Sequence, residues 1–154
     1  MTVVARLPVL TKRQVVQHVR SRLIESIHDD SGRVPEEFAI YTLSDPRAIR
    51  EVRYVGQTRA PAQRLRQHIN IARPWQPDEV PWWLKSPALR PLYEWIRQLY
   101  ADEARIPLMI VVRWVPTLLE ARACERATIY ELLRANRSLF NVECARLGRA
   151  IPLL

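Results

Sequence analysis

The stretch from residue 38 to residue 68 constrains the fold most, because it alternates short apolar runs with turn-forming residues. Residues 38–43 and 52–56 are rich in β-branched and aromatic side chains, which favour strands. Between them, residues 44–46 read Ser-Asp-Pro, a combination typical of turns. This pattern predicts a β-hairpin with a long loop.

A helix is predicted directly after the hairpin, over residues 61–72. Pro61 suits a first helical turn, because that position needs no backbone donor. Arg64 and His68 are four residues apart and therefore share one helical face. The adjacent stripe is apolar and consists of Leu65, Ile69 and Ala72.

Two further helices are predicted on either side of this stretch. Thr11 and Gln14 fit a capping box, and apolar residues follow at helical spacing, so an N-terminal helical extension is expected over residues 11–30. Residues 86–100 show a second helical pattern. The segment 74–85 before them contains three prolines and three tryptophans and is predicted to be a loop.

The last part of the chain supplies a strand and a long helix. Residues 108–115 are its most apolar run and predict a buried third strand. A second capping box at 117–120 starts a helix that reaches residue 136, and a short extended return follows over 138–142. The expected fold is α+β: a small three-stranded antiparallel sheet flanked by helices, with the N-terminal helix added. Without linkers or repeats, residues 1–154 are expected to form one domain.

Two tripeptides and four later residues stand out as a set. Ala39-Ile40-Tyr41 lies on the first predicted strand and Tyr54-Val55-Gly56 on the second. The later residues of the set are Arg64, His68, Glu125 and Asn141. Together they resemble, in order and spacing, the signature of the GIY-YIG nucleases. The resemblance covers residues 37–143, and it implies the same small three-stranded core.

The resemblance has one clear departure, since Ala39 stands where the family has its first glycine. Both residues are small, so close backbone packing can survive the exchange. By the same resemblance, Gly56 and Asn141 are expected to be structural residues near the site. The amide of Asn141 is predicted to tie the end of the sheet in place.

The resemblance implies a metal-dependent DNA endonuclease with five catalytic residues. Tyr41 would orient and deprotonate the attacking water, with His68 as its relay partner, because a free tyrosine has a pKa of about 10. Arg64 would stabilise the phosphate, and Tyr54 would complete the phosphate or water network. Glu125, a hard oxygen ligand, would hold Mg²⁺ or Mn²⁺.

The net charge of the chain favours a polyanionic partner. The formal charge is +8 and the isoelectric point is near 10.3, and DNA is the expected partner. Nearly all the cations are arginine, whose planar fork fits phosphate. A second hypothesis stays open: a nucleic-acid-binding module with a degenerate active site, for which Ala39 is the only indication.

Several residues outside the implied active site are candidates for DNA contact. They are Arg59, Arg66, Lys12, Arg13, Arg20, Trp82 and Trp83. The cations of the N-terminal helix have a competing interpretation as an ordinary solvated face, which we favour. The tryptophans, with Trp75, either cover the core as a lid, which we favour, or stack on or wedge between bases.

The sequence does not indicate a membrane protein. No apolar run approaches the ~20 residues that a membrane span needs, and the N-terminus lacks the order of a signal peptide. Cys124 and Cys144 lie in no metal-ligand pattern and are interpreted as buried apolar residues in a reducing compartment. We expect a cytoplasmic protein of bacterial or phage type, with its oligomeric state left open.

Overall fold

The computed structural model describes residues 27–28, 37–72, 80–135 and 137–141. Within these ranges the chain forms four strands, three α-helices and one short 3-10 helix. In chain order they are β1 (Ile27–His28), β2 (Phe38–Ser44), β3 (Val52–Thr58), α1 (Pro61–Ala72), the 3-10 helix (Trp82–Lys85), α2 (Arg90–Glu103), β4 (Leu108–Val115) and α3 (Leu118–Arg134).

Strand β2 lies at the centre of the sheet, whose order within the described ranges is β1-β4-β2-β3. It pairs antiparallel with β3 on one side and with β4 on the other. Strand β1 adds two residues parallel to β4, opposite Met109 and Ile110. The predicted three-stranded antiparallel sheet is therefore confirmed, with a two-residue parallel strand beside it.

The most buried strand is β2, whereas the sequence predicted burial for β4. All seven residues of β2 are buried. In β4, Val112 is half exposed and Arg113 is exposed. Within the described ranges, β1 covers β4 only opposite Met109 and Ile110. The prediction of a buried strand over 108–115 is therefore wrong for its middle, where the register of β2 with β4 shifts and leaves Val112 without a partner in β2.

Helices pack on both faces of the sheet. On one face, Tyr41 and Leu43 of β2 contact Leu65 and Ile69 of α1 in a buried cluster, which Met109 of β4 completes. Burying an aliphatic side chain of this size contributes about 1.5–3 kcal/mol. Helix α1 is therefore fixed against the strand that carries Tyr41, and this contact positions the candidate site.

The opposite face of the sheet packs against α3. Phe38 and Ile40 of β2 and Val55 of β3 form a buried cluster with Ala121 and Ile129 of this helix. Successive residues of a strand point to opposite faces, so Ile40 and Tyr41 belong to different clusters. The half-buried Cys124 packs on the α3 side and is more exposed than predicted.

The helix ends follow local signals. Helix α1 begins at Pro61 and ends at Ala72, as predicted. Thr117 caps α3, where its hydroxyl oxygen accepts a hydrogen bond of 3.2 Å from the backbone N–H of Glu120. Helix α2 begins only at Arg90, because the preceding residues form a turn. None of the helices in the described ranges is long and apolar enough to cross a membrane.

The predicted N-terminal helix lies almost entirely outside the described residues. Of the range 11–30, the structure describes Ile27–His28, and these residues form β1. The helix prediction is therefore wrong at these two positions. The parallel pairing of β1 with β4 satisfies backbone groups along part of the outer edge of β4.

Candidate active site

Tyr41 lies in the middle of β2, directly opposite Gly56 of β3, and it is entirely buried. A Cβ atom built on Gly56 would lie 2.4 Å from the phenol oxygen of Tyr41 and 2.5 Å from its Cζ. These separations are too short for non-bonded atoms, so Gly56 supplies the room that the ring occupies. Its φ is not positive. Glycine is needed at this position because a side chain would collide with the Tyr41 ring. It is not needed for a backbone conformation that other residues avoid.

Ala39 occupies an ordinary position in the same strand. It is fully buried and pairs with Thr58 of β3 and Trp114 of β4. Its φ is not positive, so this position does not require glycine. The methyl group is accommodated between two paired strands, although the register of β2 with β4 shifts shortly after it, between Ile40 and Tyr41.

The phenol oxygen of Tyr41 forms a hydrogen bond of 2.8 Å with Nε2 of His68. Both side chains are fully buried. The other ring nitrogen of His68, Nδ1, has no hydrogen-bond partner in the described part of the chain. The pair that the sequence predicted as a relay is therefore brought together, with one buried polar atom left unsatisfied.

Burial shifts the pKa values of Tyr41 and His68 in opposite directions. Burial and, to a smaller extent, the nearby charge of Arg64 together lower the pKa of His68 to about 3. Burial raises the pKa of Tyr41 far above its usual value, and Tyr54 adds to this effect while Arg64 opposes it. In the free protein both groups are neutral at pH 7, and proton transfer from the phenol to the imidazole is unfavourable.

Arg64 is a half-buried cation beside these rings. One of its guanidinium nitrogens, Nη1, donates a hydrogen bond of 3.2 Å to Oε1 of Gln67. Burial lowers the pKa of Arg64, but the phenol oxygens of Tyr41 and Tyr54 outweigh this effect and raise it overall. Within the described ranges no carboxylate forms a salt bridge with Arg64.

Aromatic rings surround His68 on three sides. The ring centroids of Tyr54, Tyr93 and Tyr41 lie 5.4, 6.1 and 6.2 Å from that of His68. Burial raises the pKa of Tyr93, while the charge of Arg64 lowers it, so a third phenol lies near the site. Tyr93 was not among the predicted site residues, because a tyrosine between apolar residues at helical spacing, such as Leu92 and Ile96, indicates core packing only.

Glu125 approaches the site from α3. Ala121, Glu125 and Ile129 are spaced at four-residue intervals and therefore lie in one row, and the two outer members are buried. Glu125 itself is half-buried. Its negative charge raises the pKa of both Tyr41 and Tyr54. The carboxylate therefore acts on the same phenols as Arg64, with the opposite sign.

The candidate site contains a carboxylate, that of Glu125, that is chemically suited to a hard divalent cation. Within the described ranges no group of three or more His, Cys, Asp or Glu side chains is placed to hold a metal ion. Glu125 is a single hard oxygen ligand, and Mg²⁺ keeps several waters and takes one or two carboxylates plus phosphate oxygens. This donor set fits Mg²⁺ or Mn²⁺ when substrate oxygens complete it.

The side chain of Asn141 binds the backbone of β3, the outer strand of the hairpin, next to Tyr54 and Gly56. Its side-chain Oδ1 accepts a hydrogen bond of 3.0 Å from the backbone N–H of Val55, and its Nδ2 donates one of 2.7 Å to the carbonyl of the same residue. The backbone N–H of Phe140 donates to the carbonyl of Arg53 at 2.7 Å. These bonds agree with the predicted structural role of Asn141 and fix the strand between Tyr54 and Gly56.

The candidates for DNA contact occupy different environments. Trp83 is fully buried, and its indole N–H donates a hydrogen bond of 2.7 Å to the carbonyl of Ile71, so it covers the core as the lid interpretation predicted. Trp82 is 66% exposed. Arg59 lies over the ring of Phe38 at 4.6 Å. Arg66 is exposed on α1. The candidates Lys12, Arg13 and Arg20, and also Trp75, lie outside the described residues.

Comparison of the chain with protein-family models, with curated proteins and with solved structures finds no match.

Proposed function

We propose that this protein is a metal-dependent DNA endonuclease of the GIY-YIG type, which hydrolyses phosphodiester bonds. The observation that carries the proposal is Arg64, a half-buried guanidinium without a carboxylate partner in the described ranges. Moving an unpaired charge out of water is costly. A phosphate offsets that cost through charge-assisted, bidentate hydrogen bonds. The formal charge of +8 supports a polyanionic substrate.

In this proposal, Tyr41 and His68 move the proton of the attacking water. The phenol oxygen of Tyr41 accepts that proton while its own proton passes to Nε2 of His68, along the 2.8 Å hydrogen bond. A phosphate at Arg64 brings negative charge close to the imidazole and raises its pKa from the low value of the free protein. A bound phosphate therefore makes this proton transfer less unfavourable than it is in the free protein.

Glu125 would hold the divalent cation, Mg²⁺ or Mn²⁺, an ion that favours oxygen ligands. When bound, such an ion stabilises the charge on the leaving oxygen. Arg64 neutralises the charge that builds on the non-bridging oxygens. Tyr54, whose phenol is within reach of the charges of both Arg64 and Glu125, completes the network around the phosphate.

The experiment is cleavage of supercoiled plasmid and of branched duplex DNA by the purified chain, with Mg²⁺, Mn²⁺ or a chelator. The test variant is Arg64→Ala. Removing one such charge-stabilising donor lowers a cleavage rate by about 10²–10³-fold. Arg134→Ala is the matched control, since this arginine is exposed in the last turn of α3 and its removal changes the net charge equally.

The proposal requires wild type to cut with a divalent cation, the control to cut at a similar rate, and Arg64→Ala to cut far more slowly. Equal rates for the two arginine variants would contradict the phosphate role of Arg64. A wild-type protein that binds DNA but cuts nothing with either metal would favour the alternative, a catalytically degenerate binding module.

A further inference from the structure

Helix α1 exposes a face that differs from those of the other helices. Three amide side chains form a stripe along it, which we call the amide stripe: Gln63, Gln67 and Asn70. All three are exposed, and their spacing of four and three residues places them in one row. Arg66 is also exposed on this helix, and its side chain forms no hydrogen bond or salt bridge within the described ranges.

This face carries no negative charge. The segment from residue 52 to residue 77 contains no Asp or Glu. Exposed positions of α2 instead include carboxylates that have polar partners, such as Glu94 with Arg90 at 2.9 Å and Asp102 with Gln98 at 2.8 Å. The exposed face of α2 therefore contains negative charge, and the face of α1 does not.

The amide stripe is continuous with the candidate active site. Gln67, its central member, accepts the hydrogen bond of 3.2 Å from Nη1 of Arg64. A phosphate held by Arg64 would therefore lie beside this row of amides. The first and last residues of the row are seven positions apart, or about 10 Å along the helix, which corresponds to about three base-pair steps of ~3.4 Å.

We propose that the amide stripe enters the major groove of duplex DNA and reads the base pairs next to the scissile phosphate. This inference rests on the proposed function, because that function places the phosphate at Arg64. The major groove is about 12 Å wide and admits an α-helix. Gln and Asn side chains pair with the N6 and N7 atoms of adenine, so the substrate is a duplex with adenine-containing pairs beside the cut. Arg66 contacts the phosphate backbone.

The test is selection of bound duplexes from a library with randomised central base pairs, in chelator so that no cleavage occurs. Sequencing the bound fraction should show adenine-containing pairs enriched over about three adjacent steps. Each bidentate contact gives discrimination of about 5- to 150-fold between the right and the wrong pair. The double variant Gln63→Ala/Asn70→Ala should lose this enrichment and still bind random duplex within a few-fold of wild type.

Both substitutions are at exposed helical positions, and alanine is the best helix former, so the fold should be retained; circular dichroism checks this. Gln67 stays unchanged because it contacts Arg64. The matched control is Gln98→Ala, an exposed amide on α2, which should leave the enrichment intact. Arg66→Ala should weaken binding to all sequences alike.

The outcomes separate this inference from the proposed function. The reading of base pairs by α1 would be overturned if the double variant kept the enrichment. It would also be overturned if wild type preferred single strands or RNA over duplex DNA. Wild type that cuts plasmid with Mg²⁺ but shows no base preference would overturn the inference and leave the nuclease function standing. Wild type that selects sequences through the amide stripe but cuts with no metal would support the inference and overturn the nuclease function.

Discussion

Replacing Gly56 by alanine tests whether the glycine exists to make room for the Tyr41 ring. The new Cβ atom would start 2.4 Å from the phenol oxygen and 2.5 Å from Cζ. Ordinary contact begins near 3.4 Å, so the ring tip must move by about 1 Å, the difference between these distances. Tyr41 is fully buried, and its surroundings therefore resist the movement.

Two energetic effects follow from this displacement. Overpacking a buried position costs about 1–3 kcal/mol. A shift of the ring tip also breaks the hydrogen bond between Tyr41 and His68, now 2.8 Å long, and leaves both atoms of a buried pair unpaired at a cost of about 1–3 kcal/mol. We therefore expect Gly56→Ala to lower the free energy of unfolding by about 2–6 kcal/mol and to reduce cleavage strongly.

The assay is a double-mutant cycle by urea denaturation, with Tyr41→Leu as the second substitution. Leucine lacks the ring atoms that the new methyl group would meet, so Gly56→Ala should cost little in the Tyr41→Leu background. The coupling between the two positions should then be at least about 1 kcal/mol, as for residues in contact. An equal cost of Gly56→Ala in both backgrounds would refute the steric argument.

Three further predictions follow from the site and its surroundings. Tyr41→Phe should keep the fold but slow cleavage by orders of magnitude, and near-normal cleavage would assign water activation to another group. Between about pH 6.5 and about pH 3, His68 is protonated only in the unfolded chain, because its pKa in the folded protein is about 3. Acidification over this range should therefore destabilise wild type relative to His68→Gln by up to about 1.4 kcal/mol per pH unit. If the free energies of unfolding of the two proteins changed equally with pH, the buried neutral imidazole would be contradicted. Trp83→Ala should lower the free energy of unfolding by about 3–5 kcal/mol and Trp82→Ala by less than about 0.5 kcal/mol, and the reverse order in urea denaturation would refute the assignment of Trp83 to the core.

The elements with strong local signals could be predicted from the sequence. The bounds of α1 follow from Pro61 and from the end of the apolar pattern at Ala72. The start of α3 follows from the cap at Thr117. Caps and periodicity depend on residues that are close in sequence, so they can be recognised in a single sequence. The two strands of the hairpin, β2 and β3, were placed correctly for the same reason.

The position of β4 in the sheet could not be predicted in this way. Its apolar run resembles that of a central strand, yet Val112 is half exposed. Burial of a strand depends on which strands flank it, and this pairing joins residues far apart in sequence. The two residues of β1 beside β4 had no strand signal that would separate them from the helical pattern around them.

The residues of the candidate site could be predicted from the sequence better than their pKa values could. Helical spacing placed Arg64 and His68 on one face, and the structure brings His68 to Tyr41 at 2.8 Å. The full burial of this pair, which opposes proton transfer between its members, depends on packing that spacing does not determine. Tyr93 was missed for the same reason, since its contact with His68 joins α2 to α1.

The measurement that tests the central claim most directly compares Glu125→Ala with wild type in DNA binding and in cleavage. Gel shifts and cleavage time courses are run side by side with Mg²⁺, Mn²⁺ and a chelator. Glu131→Ala is the matched control, because this carboxylate is exposed on the same helix.

If Glu125 holds the metal ion, Glu125→Ala should bind DNA as well as wild type or better, because a negative charge beside the phosphate is lost. It should cut at least about 100-fold more slowly, and excess Mg²⁺ should rescue little, while the Glu131→Ala control cuts normally. Complete cleavage by wild type in chelator, or cleavage by Glu125→Ala at the wild-type rate, would contradict a metal-dependent nuclease built on Glu125.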